Sequence, residues 1–98
     1  MRINGPFNFN KPGIVYGIYD PSTGELCYIG YTSNFKTRVA YHLSNKYERN
    51  KKAIWIKQLL SNNLKPVFRI IAEFNTCTEA IKFEKEMIVE LKPIYNTK

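Results

Sequence analysis

The sequence predicts an α+β domain with the element order β-β-α-α-β-α. Three observations carry that prediction. Two short aromatic and β-branched runs, residues 14–19 and 26–29, flank the turn signal Pro21-Ser22-Thr23-Gly24 and read as a hairpin. Apolar residues recur at helical spacing in three later segments. Between the second and third of these, the run from Val67 to Phe74 is apolar and β-branched enough to form a third strand. A chain of 98 residues, 44% hydrophobic and 14% aromatic, makes one domain with a modest core. Residues 1–12 are polar and broken by Gly5, Pro6 and Pro12, a leader from which Phe7 and Phe9 can pin onto the domain at 13–98.

Taken in order, the hairpin is expected to bring Tyr16 and Ile18 opposite Tyr28 and Leu26 on one face, with Tyr19 close to the turn. Gly30 ends the second strand where its backbone must lie close to something else. Thr32-Ser33-Asn34 offers N-cap side chains, and Phe35, Val39 and Leu43 form one stripe of a helix over residues 34–44. Arg38 and His42, also four apart, sit beside that stripe and reach one spot at the edge of the core. Residues 45–52 lack apolar periodicity and read as a connector facing solvent or phosphate through Lys46, Arg49, Lys51 and Lys52. A short helix over residues 53–61 carries Ile56, Leu59 and Leu60 and is stopped by Asn62-Asn63 before Pro66. Its Trp55 is assigned to helix packing over contact with a base. In the third strand, the run Ile70-Ile71-Ala72 is expected to be buried.

The last helix opens on Thr76 and Glu79 at capping-box spacing, shows an apolar face of Ala80, Met87, Ile88 and Leu91, and ends before Pro93. Glu84 falls near the centre of that face, where a carboxylate loses solvation without recompense. Such a group wants a cation. Either Arg38 or Arg69 pairs with it, or a divalent metal does.

Charge is concentrated centrally. Fifteen Lys and Arg against eight Asp and Glu give a net charge of +7. Residues 36–69 hold nine of the cations (Lys36, Arg38, Lys46, Arg49, Lys51, Lys52, Lys57, Lys65, Arg69) and only Glu48 in opposition. A polyanion such as nucleic acid is the partner that field favours. No apolar run approaches the roughly 18 residues of a membrane span, and residues 1–10 lack the apolar core of a signal peptide. A cytoplasmic protein is expected, nucleoid-associated or nuclear where the source has a nucleus. Cys27 and Cys77 read as buried free thiols, and with a single histidine they do not make a structural zinc site.

Tyr28-Ile29-Gly30, with Arg38 ten residues after the tyrosine and His42 one turn later, resembles the second half of a GIY-YIG nuclease domain. The first half lies in residues 13–19, where Tyr16 takes the place of the family's first tyrosine and the opening triplet is spelled Ile14-Val15-Tyr16. The literal Gly17-Ile18-Tyr19 lies too near the turn. Glu84 followed by Met87-Ile88, Leu91, Pro93, Tyr95 and Asn96 is similar to the family's closing segment.

The resemblance implies a three-stranded antiparallel sheet flanked by helices, and a metal-dependent endonuclease that hydrolyses DNA phosphodiester bonds. It implies a single magnesium or manganese ion on Glu84, Arg38 on the scissile phosphate, and Tyr16 as general base. Tyr28 would bind the water or a phosphate oxygen and can exchange roles with Tyr16, and His42 and Asn96 would support the site. Lys36, Lys46, Arg49, Lys51, Lys52 and Lys57 are the candidate backbone contacts. Weak sequence selectivity is expected, with nicking or a preference for branched structure, acting as a monomer or a weak dimer on DNA. Two residues follow Asn96, so the expectation is an excised catalytic module or a small stand-alone nuclease. The competing readings are a non-catalytic nucleic-acid-binding module of the same fold and an adaptor whose Lys-rich loop binds protein.

Overall fold

The computed structural model describes residues 11–45 and 48–96. Strands β1 (Gly13–Tyr19) and β2 (Leu26–Thr32) form the hairpin, and helices α1 (Phe35–Ser44) and α2 (Lys51–Ser61) follow it. Strand β3 (Val67–Phe74), helix α3 (Cys77–Leu91) and a 3₁₀ turn (Ile94–Asn96) complete the described residues. The expected α+β order holds. The sheet is antiparallel throughout, in the order β2-β1-β3, so β1 is its central strand.

The hairpin closes through Asp20, whose Oδ1 accepts from the Ser22 and Thr23 amides at 2.7 and 3.2 Å. Its register differs from the expected one. Tyr16 pairs with Gly30 and Ile18 with Tyr28, while Tyr19 pairs with Leu26, so Cys27 is left as an extra residue in β2. The pairing is displaced by two residues from the expected one, so Tyr16 and Tyr28 stay on one face as diagonal neighbours.

Each face of β1 is covered. Tyr16 and Ile18 pack with Cys27, Trp55, Ile56 and Leu59, which places α2 on one side of the sheet. Val15 and Ile29 pack with Ala80, Phe83, Met87 and Ile88 on the other, against α3. Trp55 does pack, its ring centroid 5.0 Å from that of Tyr95.

Several expectations are corrected. Strand β3 lies at the sheet edge, so Ile70 is 44% exposed where burial was predicted. Leu91 is 47% exposed, and Phe83, packed on Phe74, joins the α3 face instead. The most buried residue of α1 is not one of the apolar stripe but His42. Cys27 is buried, whereas Cys77 opens α3 and is only half-buried; both thiols are free.

The predicted connector ends early. Asn50 caps α2, its Oδ1 accepting from the Ala53 amide at 2.9 Å, so Lys51 and Lys52 are helical. Lys52 is buried, not exposed to phosphate. Helix α3 starts as expected, with Thr76 Oγ1 accepting from the Glu79 amide at 3.3 Å. Phe7, Phe9 and Lys46 lie outside the described residues. Among the described residues no helix is long and apolar enough to cross a membrane.

Candidate active site

The site begins with a glycine. Tyr16 lies across Gly30, and a Cβ at that position would stand 2.6 Å from the Tyr16 Oη and 2.7 Å from its Cζ. Only glycine leaves room for the ring, which the pairing of Tyr16 with Gly30 directs over the adjacent strand. The edge of β2 is then fixed from outside. Asn96 Oδ1 accepts from the Ile29 amide at 2.7 Å and Asn96 Nδ2 donates to the Ile29 carbonyl at 2.9 Å. One side chain thereby mimics a neighbouring strand, between Tyr28 and Gly30.

Helix α1, capped by Asn34, delivers His42 to this surface. The Tyr16 hydroxyl and His42 Nε2 are 2.7 Å apart in a buried hydrogen bond. The imidazole ring is stacked on Phe68 and lies edgewise to Tyr28 and Tyr41. Burial first, then the charges of Lys52 and Arg38, lower the His42 pKa to about 4, so it is neutral at neutral pH. A chain of contacts continues behind it. Lys52 Nζ lies 3.2 Å from His42 Nδ1 and 3.0 Å from Glu48 Oε1, and 5.2 Å from the centre of the Tyr28 ring.

The two tyrosines are held in their neutral forms. Burial is the main cause of the rise in the Tyr16 pKa, well above the ordinary phenol value, with Tyr28, Glu84 and Glu48 adding to it and Arg38 opposing. Tyr28 is also raised by burial, by Glu84 and by Glu48, again against Arg38. Those same influences put Arg38 and Glu84 in the electrostatic neighbourhood of both hydroxyls. Arg38 is exposed, its guanidinium 5.6 Å from the centre of the Tyr41 ring, and it lines an open cavity with Thr32, Ser33, Asn34 and Thr37.

Glu84 is half-buried on α3 and makes no salt bridge among the described residues, so neither Arg38 nor Arg69 pairs with it. Burial raises its pKa and Lys85 offsets part of the rise. No cluster of three or more His, Cys, Asp or Glu side chains suited to a metal occurs among the described residues. A single carboxylate donor fits a hard ion such as magnesium, which keeps several waters and takes further oxygens from a phosphate.

A family model described as the GIY-YIG catalytic domain matches residues 12–98. The chain belongs to the GIY-YIG nuclease family. UvrABC system protein C of Idiomarina loihiensis (strain ATCC BAA-735 / DSM 15497 / L2-TR) is 31% identical over 87 residues, 89% of this chain and 13% of that protein. The chain therefore spans a small part of the length of that curated relative. No solved structure matches it.

Within this GIY-YIG domain, Tyr16 and Tyr28 each contact His42, Arg38 and Glu84 act on the two tyrosines through charge, and Asn96 is tied in through the Ile29 backbone. Lys36, Arg49, Lys51 and Lys57 are exposed. The sequence reading did not connect Lys52 and Glu48 with His42. The signal was present: Lys52, Ile56 and Leu59 stand at helical spacing on one face, so an α2 that starts at Lys51 places a lysine on an apolar stripe.

Proposed function

We propose that this chain is a metal-dependent endonuclease acting on DNA, with Tyr16, Tyr28, Arg38, His42 and Glu84 as its working side chains and Asn96 holding them in place. The observation that carries the reading is the meeting of a buried tyrosine, Tyr16, and a half-buried one, Tyr28, at a neutral histidine, under the opposing charges of an exposed arginine and a half-buried glutamate. Phosphodiester hydrolysis asks for those groups: an acceptor for a water proton, a cation on the non-bridging oxygens, and relief for the departing oxyanion.

Arg38, open to solvent, binds the scissile phosphate and neutralises its charge. Glu84 would hold one magnesium or manganese ion, which when bound supplies Lewis-acid stabilisation of the phosphate and the leaving oxygen. Tyr16 first gives up its hydroxyl proton to solvent and then, as the phenolate, takes the proton of the attacking water, while Tyr28 orients the water or a phosphate oxygen. The elevated Tyr16 pKa makes this demanding, because its phenolate needs help from Arg38 and from the hydrogen bond to His42. Sequence is read weakly, and the expected product on plasmid DNA is a nick.

The test is cleavage of supercoiled plasmid and of a labelled branched duplex, with magnesium and with chelator, comparing the wild type with Glu84→Ala and Arg38→Ala. Metal-dependent cutting by the wild type, reduced in each variant by about two to three orders of magnitude, is the expected result. Equal DNA binding with no cutting of either substrate by the wild type in magnesium would overturn the reading and leave a binding module.

A further inference from the structure

The groups behind His42 explain themselves only partly as packing. Lys52 is 5% exposed, on the stripe that also carries Ile56 and Leu59, a place where an apolar residue of similar volume would serve stability at least as well. Its ammonium is nonetheless fully partnered. One direction meets Glu48 Oε1 at 3.0 Å, one meets His42 Nδ1 at 3.2 Å, and one lies near the face of Tyr28. Glu48 is steadied in turn by Asn45, whose Nδ2 donates to the same carboxylate oxygen at 2.8 Å.

An ammonium has three donors and no acceptor. Nδ1 of His42 must therefore accept, and in a neutral imidazole the proton then sits on Nε2. The hydrogen bond of 2.7 Å to Tyr16 consequently runs from His42 Nε2–H to the tyrosine oxygen. We propose that Lys52, anchored by Glu48, is a positioning residue that fixes His42 as the Nε2–H tautomer and so fixes the direction of its bond to Tyr16.

This rests on the reading of Tyr16 as the proton acceptor, and it deepens that reading. With His42 donating, the hydroxyl proton of Tyr16 is turned away from the histidine, and loss of that proton leaves an oxygen already held by an N–H donor. The opposite tautomer would draw the phenol proton into the protein interior and leave the phenolate without that support. Charge acts in the same sense, because a second proton on His42 would face the Lys52 ammonium.

The chain has one histidine, so its imidazole nitrogens can be observed without assignment in protein labelled with ¹⁵N-histidine. Long-range ¹H–¹⁵N correlation at neutral pH should show Nε2 protonated and Nδ1 bare. A wild type with the proton on Nδ1, or an equal mixture, overturns the proposal. Lys52→Met should release the tautomer toward a mixture and lower cleavage about 100-fold with DNA affinity unchanged, whereas Lys52→Arg, also donor-only, should keep the Nε2–H form and recover most of the activity. Retention of the Nε2–H form in a folded Lys52→Met also overturns it. The wild-type spectrum decides the matter even where Lys52→Met does not fold, and it needs no cleavage, so a failure of the nuclease reading is seen separately.

Discussion

At the scale of single residues, Gly30 and His42 set the terms for Tyr16. Gly30→Ala would drive a methyl group into the tyrosine ring, and neither the ring nor the β2 backbone has free space to take up the strain. We expect a stability loss of about 1–3 kcal/mol in denaturant titration, together with a fall in cleavage larger than that of Cys27→Ala, on the same strand but outside the site. His42 gives stability a pH dependence of definite sign. Its native pKa is depressed to about 4 from an unfolded value of 6.5, so between those limits the unfolded chain binds a proton that the native one does not. Stability is therefore complete above pH 6.5 and falls with pH toward about 4, by on the order of 3 kcal/mol over the window. His42→Gln should flatten that part of the profile measured by chemical denaturation. Glu48 adds to the acid loss: burial raises its pKa, yet the hydrogen bond and charge of Lys52 bring the net value below the ordinary one.

At the scale of elements, the connection between α1 and α2 is where structure and expectation part most. The first helix, the hairpin and the last helix were legible because each has a local signature: Asn34, the Pro21–Gly24 turn, and the Thr76/Glu79 box. The start of α2 has one too, in Asn50, but two charged residues follow it and hide the stripe. Lys52 falls on that stripe, but its contact with His42, ten residues earlier and on another helix, is one that no local pattern encodes. For the same reason the hairpin register could not be read, since the pairing is displaced by two residues from the expected one, which moves every pair without changing which side chains share a face. Glu84 was legible as an anomaly because α3 is long enough to define its face. Asn50→Ala should cost about 1 kcal/mol and, because Lys52 sits in the first turn, weaken the His42 contact as well. Amide exchange in residues 51–56 would report the first effect, and the histidine ¹⁵N spectrum the second.

At the scale of the whole molecule, the excess of positive charge divides into two populations. Lys36, Arg49, Lys51 and Lys57 are exposed and available to a phosphate backbone, while Lys52 is consumed inside the fold. Counterion release distinguishes them. Lys51→Ala should lower the slope of log affinity against log salt by about one, and Lys52→Met should leave that slope unchanged, both measured by DNA binding at several salt concentrations. Neighbouring positions in one helix would then separate affinity from chemistry.

The ring contact of Trp55 with Tyr95 has a practical consequence. Trp55 is the sole tryptophan, it sits in the core under the sheet, and its partner is the residue next to Asn96, which clasps the edge of β2. Its fluorescence is thus a built-in optical gauge of whether the closing turn is seated. Any variant that loses activity while keeping the native emission has been damaged in its chemistry, and one that loses both has let the clasp go.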